Sequence, residues 1–155
     1  MKKGYGLIEV LVTLFIISIL MVIEVDLVTK ESIRYKRNIA LDREECYCNG
    51  ALHFVENEIN DIKNKGVIIE DNNIVLKKEN GDNYTIKSEE NNGKYKLVIL
   101  YDKVIDSNIN KNIIVEDLKS VKIKRNKNVV YIYLESLQGK KFYRCIGLNQ
   151  NIEDI

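Results

Sequence analysis

An apolar run from Val10 to Ile23 contains no charged side chain, and this stretch most constrains what the chain can become. It follows Lys2, Lys3, Gly4, Tyr5, Gly6, Leu7, Ile8 and Glu9, so from Tyr5 to Ile23 Glu9 is the one ionisable group that would have to enter an apolar medium. As a helix, roughly 19 residues rising about 1.5 Å each reach about 28 Å, close to the bilayer core of about 30 Å. Lysines precede the run and Glu24 and Asp26 follow it. The excess of basic residues on the N-terminal side predicts an N-terminus in the cytoplasm and a large C-terminal part on the far face.

A removable secretory signal would end in small residues after the apolar region, but Leu20, Met21, Val22 and Ile23 provide no such site. The small residue is Gly4, ahead of the run. Cleavage there would leave the membrane helix in the mature chain and create a new α-amino group at Tyr5. A carboxylate costs up to about 2.5–3.5 kcal/mol on insertion scales, the value at the centre of a membrane helix, and acids within apolar spans usually have a partner or a function. The Tyr5 amine of a neighbouring copy, one helical turn from Glu9 in sequence, is such a partner.

The string Gly4, Tyr5, Gly6, Leu7, Ile8, Glu9, followed by Val10, Leu11 and Val12, resembles the class III leader of type IV pilins and pseudopilins. That resemblance implies a prepilin peptidase cutting after Gly4, N-methylation of Tyr5 and a filament-assembly role for Glu9. Tyr5 stands where the family commonly has phenylalanine, and Gly6 where it has threonine or serine. Many pilins kink the helix with proline, whereas this chain has none. An uncleaved signal-anchored extracellular binding domain is the alternative from a different class.

With 155 residues, 45% hydrophobic and 30% charged, the composition suits one small domain on an anchor. The net charge is +1, and loss of Lys2 and Lys3 makes it about −1, so global charge does not argue for nucleic acid. Four segments are expected: a leader over 1–4, a transmembrane and filament-core helix over 5–23, an extension of that helix over 24–65, and a head domain over 66–155. Cys48, Leu52, Val55, Ile59 and Ile62 fall on one helical face, which should pack on a sheet. Asn49 and Gly50 interrupt the run. A nearly continuous helix from Tyr5 to about Lys63 is favoured over two helices joined there, with Lys65 and Gly66 as the stop.

Beyond Gly66 the period becomes two. Strands are expected at Val67–Glu70, Ile74–Lys78, Tyr84–Lys87, Tyr95–Tyr101, Ile113–Glu116, Val121–Lys124, Val129–Leu134 and Lys141–Ile146. Turns are expected at Asn80 to Asp82, Asn126 to Asn128 and Gln138 to Lys140. The fold class is therefore α+β, a long N-terminal helix packed on an antiparallel sheet. The pilin resemblance implies the same arrangement. Within that family the spacing is most similar to minor pseudopilins of the ComGF-like Gram-positive competence type, or of the type II secretion J group.

Few other residues suggest chemistry. Cys46 and Cys48 point roughly 200° apart on a helix, and with Cys145 and the single His53 they make poor metal spacing. A Cys48–Cys145 bridge would staple helix to sheet outside the membrane; buried unpaired thiols are the other reading. His53 reads as a surface or groove residue. Glu44, Glu45, Glu56, Glu58 and Asp61 read as a solvated helix face. Lys119, Lys122, Lys124, Arg125 and Lys127, with Tyr131 and Tyr133 on the next strand, read as the ordinary outer face of a sheet, and direct nucleic-acid binding is not expected. No phosphate loop or catalytic triad is recognisable, so no enzyme activity and no cofactor are expected. By the family resemblance, the partners are other major and minor pilins, the prepilin peptidase and a polytopic platform protein. The expected location is the cell membrane, N-terminus inside, with a cell-surface filament after assembly.

Overall fold

A computed structural model describes residues 5–70, 72–105 and 108–148, with the Tyr5 side chain outside that description. One helix, α1, covers Tyr5–Ile59. Seven strands follow: β1 (Asn64–Glu70), β2 (Asn73–Lys78), β3 (Asn83–Asn91), β4 (Lys94–Asp102), β5 (Asn110–Asn126), β6 (Val129–Ser136) and β7 (Lys141–Gly147). The chain divides into two compact units, Met1–Arg43 and Glu44–Ile155.

In the first unit, the helical residues from Gly6 to Ala40 are all solvent-exposed. Leu7, Phe15 and Val22 are 66–70% exposed. The apolar side chains surround the helix rather than forming a stripe, the pattern of a segment that needs lipid or other helices on every side. After Ile23 the surface changes character. Lys30 pairs with Asp26 at 2.6 Å and Arg34 with Glu31 at 3.8 Å, the i,i+4 and i,i+3 spacings of a water-facing helix.

In the second unit, the remaining part of α1 buries Cys48, Ala51, Leu52, Val55 and Ile59 against a seven-stranded antiparallel sheet ordered β1 to β7. Every strand pairs with its sequence neighbours, so the whole sheet is one meander. Alternate residues face the helix, among them Ile74 and Leu76 of β2, Leu97 and Ile99 of β4, and Ile132 and Leu134 of β6. This is the expected α+β class.

The helix passes through Asn49 and Gly50 without a break. Cys48 and Ala51 are both buried beside that pair, so packing outweighs the cost of about 1 kcal/mol for a helix-interior glycine. The end of the helix is a correction. It stops at Ile59 instead of continuing to Lys63 or 65, because the Asn64 amide donates to the carbonyls of Glu58 and Ile59 at 2.7 and 2.9 Å and caps them. Ile62, expected on the buried stripe, is consequently beyond the helix and 94% exposed.

The eight expected strands become seven because Ile113–Glu116 and Val121–Lys124 are parts of β5. Asp117 takes a positive φ of 57°, and the pairing slips on both sides of it, between Tyr95 and Leu97 on β4 and between Leu118 and Ser120 on β5. Such a bulge bends a strand without ending it. The three expected turns are present. A further one at Asn92 and Gly93, with φ of 53° and 74°, joins β3 to β4 and follows the Asn-Gly preference of tight hairpins.

Candidate functional site

Gly4, the expected cleavage position, lies outside the described residues, and Tyr5 is described as the first backbone position of α1. Glu9 sits one turn into the helix, with apolar side chains exposed on both sides of it in sequence. Among the described residues its carboxylate has no ion-pair partner within the chain. The hydroxyls of Thr13, Ser18 and Thr29 do not compete for it. Thr13 donates to the Glu9 carbonyl, Ser18 to the Phe15 carbonyl at 2.7 Å and Thr29 to the Val25 carbonyl at 2.7 Å. Hydroxyls satisfied by their own helix backbone can enter an apolar medium at low cost. The Glu9 carboxylate is thus the isolated polar group of an otherwise self-satisfied apolar rod.

The cysteines do not form the bridge considered above. All three are free, with Cys48 buried and Cys46 and Cys145 exposed. On β7, Phe142 and Ile146 face the helix, and Cys145 takes the other parity, so the sheet separates it from Cys48. Burial, and then the Glu44 carboxylate one turn away, raise the Cys48 thiol above its usual pKa and keep it protonated. No group of three or more His, Cys, Asp or Glu side chains among the described residues is placed to hold a metal ion.

Four of the five acids expected to be a solvated helix face, Glu45, Glu56, Glu58 and Asp61, instead pair with residues of the sheet. Glu45 pairs with Lys140, and Glu56 pairs with Arg144 at 3.5 Å and with His53 at 3.6 Å. Glu58 and Asp61 converge on Lys78 at 3.5 and 2.7 Å. Lys78 is 6% exposed and lies 4.9 Å from the centre of the Tyr84 ring. Its hydrogen bond, with a further one from the Lys63 backbone, holds the Asp61 carboxyl below the usual carboxylate range. Parity could have revealed this lysine, since it shares the inward face of β2 with Ile74 and Leu76.

A second cluster, also absent from the sequence reading, lies on the outer face of the sheet. Glu89 is contacted by Lys111, by Lys87 at 3.3 Å and by Lys96 at 3.4 Å. The Lys111 hydrogen bond leads, and together the three ammoniums lower the Glu89 carboxyl from 4.5 to about 2. A depressed folded-state value means that the stabilisation is present above the unfolded pKa of about 4.3 and disappears as the pH falls through about 2. Urea midpoints measured across that interval are expected to fall more steeply for the native chain than for Glu89→Gln; parallel curves would show that the cluster contributes nothing.

Taken together, these features define a class: an α+β protein with one N-terminal helix apolar enough to anchor it in a membrane, whose apolar first part, over residues 6–23, carries a single carboxylate, Glu9. Residues 1–23 match the family described as the prokaryotic N-terminal methylation motif. The Gly4, Tyr5 and Glu9 string lies inside that match. No curated protein and no solved structure matches the chain. The motif supports a structural role of the pilin or pseudopilin type.

Proposed function

We propose that this protein is a minor pilin or pseudopilin, a structural subunit of a type IV pilus-like filament. The observation that carries the reading is the N-terminal methylation motif over residues 1–23, on a helix whose apolar residues are exposed all round. The chain is inserted with Lys2 and Lys3 in the cytoplasm and cut after Gly4 by a prepilin peptidase. It is then methylated on the Tyr5 amine and drawn by a platform protein from lipid into a bundle of like helices. There Glu9 neutralises the Tyr5 amine of a neighbouring subunit. The sheet domain lies outside the membrane and packs around the bundle with the heads of other pilins.

Within this class we place the protein with competence filaments that take up DNA. The support is the similarity of its C-terminal strand, Gln-Gly-Lys turn and strand to minor competence pseudopilins. A type II secretion pseudopilin and an adhesive pilus subunit share the same helix chemistry.

Intact mass and N-terminal sequencing of the protein from membranes, with and without the prepilin peptidase, test the reading. The expected product lacks residues 1–4 and carries about 14 Da more on Tyr5, the mass of one added methylene. A full-length N-terminus in both samples would make the protein a plain membrane-anchored domain.

A further inference from the structure

Alternation alone makes the lysines of β5 a solvated sheet face; the register places aromatic rings beside them. Lys122 pairs across the sheet with Tyr133, which pairs with Tyr143 of β7, and Lys124 pairs with Tyr131, which pairs with Cys145. All six side chains therefore lie on the face turned away from the helix. Tyr131 and Tyr133 are stacked along β6 with ring centres 6.4 Å apart and planes 17° from parallel, and Tyr143 lies across from Tyr133 on β7, its ring centre 6.4 Å away. Tyr143 is 74% exposed and Tyr133 43%, so both rings are open to a ligand.

The charge pattern is equally ordered. Lys122 and Lys124 are exposed, and neither forms an ion pair among the described residues. Glu135, the acid on the same face of β6, is already engaged by Lys119 at 2.7 Å and by the Ser120 hydroxyl at 3.4 Å. What remains is a lane of two cations along β5 beside a lane of two tyrosines along β6, with Tyr143 flanking Tyr133 on β7. Residues two apart on a strand are separated by about 6.6–6.8 Å, so lysines and rings repeat at nearly the same step. A ligand matching both lanes is a flexible polyanion that carries a flat ring on each repeat.

We propose that the outer face of β5, β6 and β7 binds single-stranded nucleic acid, with Lys122 and Lys124 holding phosphates and Tyr131, Tyr133 and Tyr143 stacking on bases. A duplex hides its base faces, and a polyanion without rings would leave the tyrosines unused; the single strand satisfies both lanes. Ring stacking of this kind is tolerant of sequence, so the face should show little preference among bases. The proposal goes beyond the filament reading and stands without it, because every residue it uses belongs to the sheet.

The test is fluorescence anisotropy of a labelled oligothymidylate of about 20 nucleotides, longer than a typical single-strand site. It is titrated with the full-length chain in non-ionic detergent micelles. Binding that weakens with salt is expected, and Lys122→Gln with Lys124→Gln should reduce the salt slope by about 1.4, at about 0.7 per phosphate contact. Tyr133→Leu with Tyr143→Leu should weaken binding about thirtyfold, the low end for two lost base stacks. An abasic oligonucleotide of the same length should bind the native chain correspondingly more weakly.

Circular dichroism unchanged from the native chain certifies the variants, whose substituted side chains face solvent. No binding at about 50 mM salt, where phosphate contacts are strong, would overturn the proposal. So would equal affinity for the abasic chain or inorganic polyphosphate, which would reveal a generic polyanion surface. Unaltered binding by the lysine pair variant would place the contact elsewhere.

Discussion

Replacing Glu9 by valine is expected to leave cleavage after Gly4 intact and to abolish incorporation into filaments. The substitution removes a carboxylate that costs up to about 2.5–3.5 kcal/mol to place inside a bilayer, so membrane insertion becomes easier. Any loss of assembly must therefore arise after insertion. In the described chain nothing neutralises Glu9, since the neighbouring Thr13 hydroxyl donates to the Glu9 backbone carbonyl and not to its carboxylate. In the proposed assembly the Tyr5 amine of an adjacent subunit, freed by cleavage after Gly4, is the group that would neutralise it. In a water-poor helix bundle, loss of one member leaves the other buried without compensation, which is costlier than the pair itself is favourable.

Glu9→Gln separates charge from shape and is expected to fail in the same way. Two readouts are needed: the mass of the membrane-extracted protein for cleavage, and its amount in sheared filament fractions for assembly. Native amounts of Glu9→Val in the filament fraction would remove the role assigned to this carboxylate. Loss of cleavage in the same variant would instead assign Glu9 to peptidase recognition.

Leu52→Ala is expected to destabilise the sheet domain by about 2–5 kcal/mol, the range for deleting a buried leucine side chain. Leu52 is 1% exposed and lies at the centre of the helix stripe, between Cys48 and Val55. Domains of this size commonly have only about 5–15 kcal/mol of stability in total, so the variant should unfold at a clearly lower urea concentration. Tyrosine fluorescence is a suitable probe, because the chain has nine tyrosines and no tryptophan. Leu20→Ala is the control: Leu20 is 54% exposed in a unit separate from the sheet, and its loss should leave the urea midpoint unchanged. A native midpoint for Leu52→Ala would mean that the helix stripe does not hold the domain together.

Much of the architecture was legible because it rests on periodicity and turn chemistry. The stripe of Cys48, Leu52, Val55 and Ile59 and the period-two strands after it are local patterns that the core then uses directly. The Asn-Gly-Asp and Gln-Gly-Lys turns were equally plain, since Gly81 and Gly139 take the positive φ values that such turns need. Where the reading failed, a nonlocal contact had decided. Asn64 comes five residues after Ile59 and reaches back to cap it, so the helix ends before the Lys65 and Gly66 signal. Asp117 looks like a strand terminator, yet pairing with both neighbouring strands carries β5 across it.

The candidate sites divide on the same line. Gly4, Tyr5 and Glu9 lie within six residues of one another, and their meaning depends on spacing to an apolar run, which a sequence displays in full. The Cys48 and Cys145 thiols, the Lys78 clamp and the tyrosine row depend on which face of a strand a residue occupies and which strand lies beside it. A shift of one residue turns every side chain of a strand to the other face. Cys145 thus ends on the outer surface, while Lys78 ends beneath the helix beside Glu58 and Asp61. The sequence by itself determined the apolar helix, its lone carboxylate and the α+β class, because each is encoded in local spacing. Only the tertiary structure decided the partners of the buried charges and the company of the exposed rings, because register brings together residues that no local pattern connects.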